Sequence, residues 1–229
     1  MKIKNPFKNL NKFEKALWIC SMCVVSLSYL IPKEKDYLTL FASLIGVTAL
    51  IFIASGRVIG QALVIIFALF YGAISFHYKY YGEVITYLGM SAPMAVLALI
   101  SWIKHPYESS GVVAVNKITK KHVFILGAIT TAVTVAFYFI LSALNTENLL
   151  VSTVSVTTSF AAVSLTYLRS PYYAIGYSLN DLVLITLWVM ASIEKPSYIP
   201  MVLCFVTFLA NDIYGFISWR RMERKQHNI

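Results

Sequence analysis

Apolar residues are grouped along this chain into long runs that short polar segments separate. A helix needs about 20 mostly apolar residues to cross the hydrocarbon layer of a bilayer. Helices satisfy their backbone hydrogen bonds internally, as lipid requires, and the runs lack the alternation of membrane β-strands. The pattern therefore predicts an all-α polytopic membrane protein with eight transmembrane helices, of which the first is short. The runs cover about residues 16–31, 37–55, 58–78, 84–103, 122–144, 148–168, 172–191 and 198–219.

The basic residues are distributed unequally between the two membrane sides that eight spans would define. Fifteen lysines and arginines lie on the side of both termini and the 104–121 loop, and four lie on the other side. Because cytoplasmic loops hold the excess of lysine and arginine, both termini are predicted to be cytoplasmic. The net charge of +9 follows from this bias, so we infer no nucleic-acid partner from it.

The composition argues against a soluble enzyme. Apolar residues make up 59% of the 229 residues and charged residues only 13%, whereas soluble domains contain about 25% charged residues. The three cysteines lie inside apolar runs, which indicates packing rather than a disulfide or a metal site. The sequence also lacks a nucleophile elbow, a phosphate-binding glycine loop and a His-Glu-x-x-His motif. We therefore expect no catalytic residues and no cofactor.

A weak internal repeat relates the two halves of the chain. At a shift of 117 residues, Tyr81–Trp102 aligns with Tyr198–Trp219, and both segments end in Ile-Ser-Trp. Spans 2–4 and 6–8 would then form two units of the same orientation joined by span 5, a plan in which transporters bind substrate between the repeats. The expected divisions are a basic tail with an extra helix (1–35), a first three-helix unit (36–103), a loop with a linker helix (104–146), a second three-helix unit (147–219) and a basic tail (220–229).

Two Asn-Asp dipeptides interrupt the last two apolar runs. Asn180 and Asp181 lie in the seventh run, and Asn211 and Asp212 lie in the eighth. A charged side chain at the centre of a membrane helix costs about 2.5–3.5 kcal/mol to insert, so such residues usually have a function. Both dipeptides lie about 12 Å from the predicted cytoplasmic ends of their helices, at a rise of about 1.5 Å per residue. This common depth predicts one substrate-binding layer.

Aromatic residues accompany these dipeptides at helical spacing. Aromatic rings stack on a flat heterocycle, and an asparagine amide both donates and accepts hydrogen bonds at its edge. Tyrosine and tryptophan also anchor helices at membrane interfaces, and the aspartates alternatively serve as structural pins between helices. The further candidates for substrate contact are Tyr173, Gly176, Tyr177 and Trp188 in span 7, Tyr214 and Trp219 in span 8, and Gln61 at the corresponding place of span 3.

The last two spans resemble the PnuC family of bacterial vitamin and nucleoside transporters. The last helix of that family commonly ends in Asn-x-x-Tyr-Gly-x-x-x-Trp, which here is Asn211, Tyr214, Gly215 and Trp219. The resemblance extends more loosely over about residues 37–225. It implies an arrangement similar to the SWEET transporters and facilitated diffusion of an unphosphorylated nucleoside-like substrate, which a cytoplasmic kinase traps by phosphorylation. It also implies a homotrimer in the bacterial plasma membrane.

One position departs from the family pattern. Nicotinamide riboside transporters of this family have Trp-x-x-Trp-x-x-x-Asn where this chain has Tyr173, Gly176 and Asn180. Glycine in place of an indole removes one stacking face and is expected to leave space for a larger base. The predicted substrate is therefore nicotinamide riboside or a nucleoside or deoxynucleoside.

Other functions stay open at this point. The alternatives are transport of thiamine or another vitamin, and proton-coupled nucleoside transport with Asp181 or Asp212 as the proton carrier. Two further classes are an integral-membrane enzyme and a purely structural membrane protein.

Overall fold

The computed structural model describes residues 6–33, 35–77, 81–108, 111–146 and 148–227, which are mostly helical. Two short strands, Pro106–Tyr107 and Val112–Val113, pair antiparallel in the 104–121 loop, and 3-10 turns cover Pro6–Asn9 and Pro196–Tyr198. The long helices are α1 (Lys12–Ser28), α2 (Tyr37–Ala54), α3 (Ile59–His77), α4 (Tyr81–Lys104), α5 (Lys120–Ala143), α6 (Leu149–Tyr167), α7 (Tyr173–Glu194) and α8 (Ile199–Gln226).

Seven of the described helices, α2 to α8, are long and apolar enough to cross a membrane. The predicted short first span corresponds to α1, which has 17 residues and charged side chains in its first turn. An Asn11–Glu14 capping box fixes the start of α1, and the helix packs against α2 and α8. The chain is thus an all-α polytopic membrane protein, as the hydrophobic pattern predicted.

Helix α4 contains a π-helical segment, Ile85–Ser91, between two α-helical parts. The amide of Ala92 donates to the carbonyl of Tyr87, five residues earlier. Pro93 explains the irregularity, because proline has no N–H for the carbonyl of Gly89 and its ring collides with the preceding turn. The wider π turn accommodates the proline inside a single membrane span.

Six helices form a closed ring in which each packs against two neighbours. The order around the ring is α2, α3, α4, α6, α7, α8 and again α2. Helix α5 packs against α6, and α1 packs against α2 and α8, so both lie at the periphery. The interior of the ring is therefore enclosed by the first three and the last three of the seven long spans.

Two tryptophans close one end of this ring. Trp102 and Trp219 are fully buried, and their ring centroids lie 5.2 Å apart. The indole N–H of Trp102 donates to the carbonyl of Thr166 in the last turn of α6 (2.9 Å), and that of Trp219 donates to the carbonyl of Ile53 in the last turn of α2 (2.8 Å). The pairing thus links α4 to α6 and α8 to α2 at this end of the ring.

The 104–121 loop covers the tryptophan pair from outside the ring. Val113 and Val115 pack into the same apolar cluster as the two indoles. The side chain of Gln226, at the end of α8, accepts from the amide of Val115 (2.7 Å) and donates to the carbonyl of Val113 (3.1 Å). The amide of Val113 also donates to the carbonyl of Gly56 (2.9 Å). The loop therefore closes the end of the ring on which α2, α4, α6 and α8 finish.

Gly176 lies where α7 crosses α6 at close range. A Cβ atom at this position would lie 2.8 Å from Cα and 2.9 Å from Cβ of Ala162. The sequence-based expectation that Gly176 leaves space for a heterocyclic ring is therefore wrong. The backbone of α6 fills that space, and glycine is present because it lets two membrane helices approach closely.

We expect Gly176→Ala to destabilise the protein by about 1–3 kcal/mol, because the methyl group forces the α6–α7 crossing apart. Gly127 on α5 is a matched control, since a Cβ atom there would meet nothing within 4 Å. Gly127→Ala should leave the stability within about 1 kcal/mol of wild type or raise it through helix propensity. Thermal unfolding of the purified variants in detergent measures the difference, and equal midpoints for both variants would contradict the tight crossing.

Candidate functional site

The two aspartates meet between α7 and α8, inside the bundle. Asp181 and Asp212 are each 3% exposed, and their carboxyl groups lie within hydrogen-bonding reach of each other. Oδ2 of Asp181 has no hydrogen-bond partner among the described residues. Two ionised carboxylates would repel strongly in a medium of low dielectric constant. A shared proton or a cation placed beside the pair would relieve this repulsion, so the arrangement is suited to holding either.

Two tyrosines continue the same face of α7 toward the tryptophan pair. Tyr173, Tyr177 and Asp181 follow one another at four-residue intervals, which places them on one side of a helix. The rings of Tyr173 and Tyr177 lie 6.2 Å apart, and both lie within electrostatic range of Asp212. The Tyr173 hydroxyl has no partner in the described part of the chain. It lies 2.8 Å from the place of a Cβ atom at Gly215, so this glycine makes room for it.

Gln61 on α3 faces the same region from the other side of the ring. Val58 and Val64, three residues before and after it, pack against the cluster that contains Tyr173 and Tyr177. Residues three apart share one helix face, so the Gln61 side chain lies toward this cluster. Gln61 is 1% exposed, and its Nε2 has no hydrogen-bond partner within the described ranges. The ring interior therefore contains an unpaired amide donor, an unpaired hydroxyl and an unpaired carboxylate oxygen.

The two asparagines bind different neighbouring helices. Oδ1 of Asn180 accepts hydrogen bonds from Ser155 (3.1 Å) and Thr158 (3.0 Å) on α6. Nδ2 of Asn211 donates to the Ser21 hydroxyl on α1 (2.9 Å). The structure thus brings the aspartates of the two dipeptides together and directs the asparagines to α6 and α1.

The remaining aromatic candidates have other surroundings. The Tyr214 hydroxyl donates to Glu14 on α1 (3.1 Å), so Tyr214 and Asn211 both contact α1. Trp219 belongs to the tryptophan pair that closes the ring. Trp188 lies near the opposite end of α7, where its ring packs 5.4 Å from that of Tyr198. Among the described residues, no hydrogen bond links these three side chains to the aspartate pair.

The structure also reveals three polar residues that the sequence reasoning missed. Tyr71 on α3 and Tyr87 on α4 pack with ring centroids 4.6 Å apart. Glu83, one turn before Tyr87, accepts a hydrogen bond from the Ser75 hydroxyl (2.9 Å). In the sequence, the acidic Glu83 at the start of the fourth apolar run was the signal that could have indicated this group. Tyr87 lies within electrostatic range of both Glu83 and Asp181.

The outer surface of α7 and α8 is different in character. A shallow apolar groove there is lined by Leu179, Leu182, Ile213 and Phe216 together with neighbouring residues. These side chains face away from the ring interior, as expected for a surface in contact with lipid. Within the described ranges, no group of three His, Cys, Asp or Glu side chains is arranged to hold a metal ion.

Comparison with known proteins agrees with this architecture. The sequence profile of a family described as nicotinamide mononucleotide transporter matches residues 36–221. The nicotinamide riboside transporter PnuC of Neisseria mucosa is 21% identical over 216 residues, which cover 92% of this chain and 82% of the relative. PnuC of Haemophilus influenzae is 21% identical over 227 residues, which cover 98% of this chain and 97% of the relative.

A solved structure shows the same fold. It is described as the crystal structure of the vitamin B3 transporter PnuC, and it superposes with a TM-score of 0.81 at 21% identity. The superposition covers 95% of this chain and 94% of the solved chain. From its sequence and its fold, this chain belongs to the nicotinamide mononucleotide transporter family, the family of the PnuC proteins, and is a membrane transporter rather than an enzyme.

Proposed function

We propose that the protein carries nicotinamide riboside, or a closely similar cationic nucleoside, across the bacterial plasma membrane by facilitated diffusion. The main observation in favour is the buried carboxyl pair of Asp181 and Asp212. A pyridinium ring has the positive charge that such a pair attracts. Two relatives that are named nicotinamide riboside transporters align with more than nine-tenths of this chain.

The polar atoms around the pair fit the rest of a nucleoside. Buried donors and acceptors normally have hydrogen-bond partners, so the unpaired ones mark places where a ligand binds favourably. Nε2 of Gln61 and Oδ2 of Asp181 would meet a carboxamide oxygen and ribose hydroxyls, respectively. The rings of Tyr173 and Tyr177 offer aromatic surface for the base. Asn180, held by α6, contributes from the edge of this site.

Other substrates fit these contacts less well. The expectation of a purine nucleoside or deoxynucleoside rested on free space at Gly176, which the backbone around Ala162 occupies. Neutral nucleosides also lack the positive charge that the carboxyl pair attracts. Thiamine is a cation and is the strongest competing substrate, so it belongs in every binding comparison.

The proposed transport cycle needs no energy source in this chain. A kinase in the cytoplasm would phosphorylate the substrate, and the negative phosphate would be repelled by Asp181 and Asp212, so the product could not return. This proposal includes cytoplasmic termini, with the 104–121 loop on the cytoplasmic side. It also includes the division into two three-helix units joined by α5, and a homotrimer, which follows from the family resemblance alone.

Binding of nicotinamide riboside to the purified protein tests the substrate and the site together. We expect Asp212→Asn to weaken this binding by about thirtyfold or more, because the cation loses a buried counter-charge. Isothermal calorimetry should show tighter binding of nicotinamide riboside than of thiamine, deoxyadenosine or the neutral dihydropyridine form. Glu194→Gln, an exposed carboxylate at the end of α7, is the matched control and should bind like wild type. An unchanged affinity in Asp212→Asn would disprove this placement of the site.

Uptake into proteoliposomes distinguishes facilitated diffusion from proton coupling. We expect the initial rate of nicotinamide riboside entry to be the same with and without a pH gradient. The bound cation neutralises the charge of the carboxyl pair, so transport does not require a proton to be carried with it. Empty liposomes give the background rate. A rate that rises with an inward proton gradient, and loses this rise in Asp181→Asn, would instead assign proton-coupled transport.

A further inference from the structure

Three aromatic rings meet inside the ring of helices on the α3–α4 side. The centroid of Phe67 lies 5.5 Å from that of Tyr71 and 6.1 Å from that of Tyr87, and the two tyrosine rings lie 4.6 Å apart. Tyr71 is only 6% exposed. Tyr87 is only partly buried, so part of its surface remains accessible.

Carboxylates flank these rings on two sides. Glu83 lies four residues before Tyr87 on α4, so the two side chains are neighbours on one helix face. Both tyrosines lie within electrostatic range of Glu83, and Tyr87 also lies within range of Asp181. Lysine and arginine residues of the described helices are confined to the end turns and to the extension of α8. Among the described residues, no lysine or arginine therefore opposes a bound cation in this part of the ring interior.

The two groups of acidic residues lie at different depths. Measured from the tryptophan pair, Asp181 is eight residues beyond Tyr173, which is about 12 Å along α7. Tyr87 is fifteen residues before Trp102 on α4, which is about 20 Å or slightly more. Glu83 lies one turn further from the closed end. A molecule that enters from the end opposite the tryptophan pair therefore meets Glu83 and the tyrosines first and the aspartates second.

The backbone at this place is irregular as well. Tyr87 lies within the π-helical segment Ile85–Ser91. Such segments are rare in helices and occur frequently at functional sites.

We propose that Tyr71, Tyr87 and Glu83 form an outer subsite that binds a flat organic cation before it reaches Asp181 and Asp212. The tyrosine rings attract a cation through their faces, and Glu83 supplies the counter-charge. The subsite selects positively charged rings over neutral ones of the same size. It rests on the proposed function only in that the transported substrate is taken to be such a cation.

Binding of 1-methylnicotinamide, a pyridinium cation without a sugar, tests the subsite by calorimetry. Glu83→Gln keeps an oxygen that accepts from the Ser75 hydroxyl and removes only the charge. We expect it to weaken 1-methylnicotinamide binding by about tenfold, whether Asp212 is intact or replaced by Asn. Nicotinamide, which is neutral, should bind Glu83→Gln and wild type equally. Glu194→Gln, at the same end of the bundle, is the control for surface charge.

Two variants of Tyr87 separate the ring from the hydroxyl and from folding. Tyr87→Leu should weaken binding of the cation by about tenfold, and Tyr87→Phe should retain most of it, because the ring face makes the contact. Equal binding of 1-methylnicotinamide by wild type, Glu83→Gln and Tyr87→Leu would overturn the subsite, as would absence of binding to wild type. If nicotinamide riboside does not bind but 1-methylnicotinamide binding still depends on Glu83, the proposed function fails and the subsite stands.

Discussion

Lipid offers no hydrogen-bond partner, so every polar group inside this bundle depends on a partner within the protein. Most polar side chains in the ring meet this requirement locally. The hydroxyls of Thr48, Thr86 and Thr166 each donate to the carbonyl four residues earlier in their own helix. The indoles of the tryptophan pair donate across the ring to helix-end carbonyls. Against this background the buried atoms without a partner among the described residues stand out, which include Nε2 of Gln61, the Tyr173 hydroxyl, Oδ2 of Asp181 and Oδ1 of Asn211.

The sequence predicts the helices well because hydrophobicity decides them, and it predicts the faces of those helices poorly. Asn180 and Asp181 are adjacent, and their side chains diverge by about 100° around the helix axis. The sequence-based prediction assigned both residues the same role in one binding layer, since apolar residues surround both positions, whereas the structure aligns Asp181 and not Asn180 with Tyr173 and Tyr177. Only the packing of α7 against α8 and α6 decides between them. The close crossing at Gly176 and Ala162 likewise could not be predicted, because the sequence of one helix does not show which residue of another helix packs against it.

Tyr71, Tyr87 and Glu83 were missed for a related reason. The Asn-Asp dipeptide occurs twice in the last two apolar runs, whereas these three polar residues occur singly. The ring interior is nevertheless lined by α2–α4 as well as by α6–α8. Asp181 and Asp212 come from α7 and α8, and Gln61 and the tyrosine pair come from α3 and α4.

Helix α8 is uninterrupted from Ile199 to Gln226, and three of its residues recur at seven-residue intervals along nearly one line. Asp212 interacts with Asp181, Trp219 contacts the opposing indole, and Gln226 hydrogen-bonds to the 104–121 loop. These contacts span about 21 Å along one rigid element. Any tilt of α8 therefore displaces the carboxyl pair, the tryptophan pair and the loop contact together.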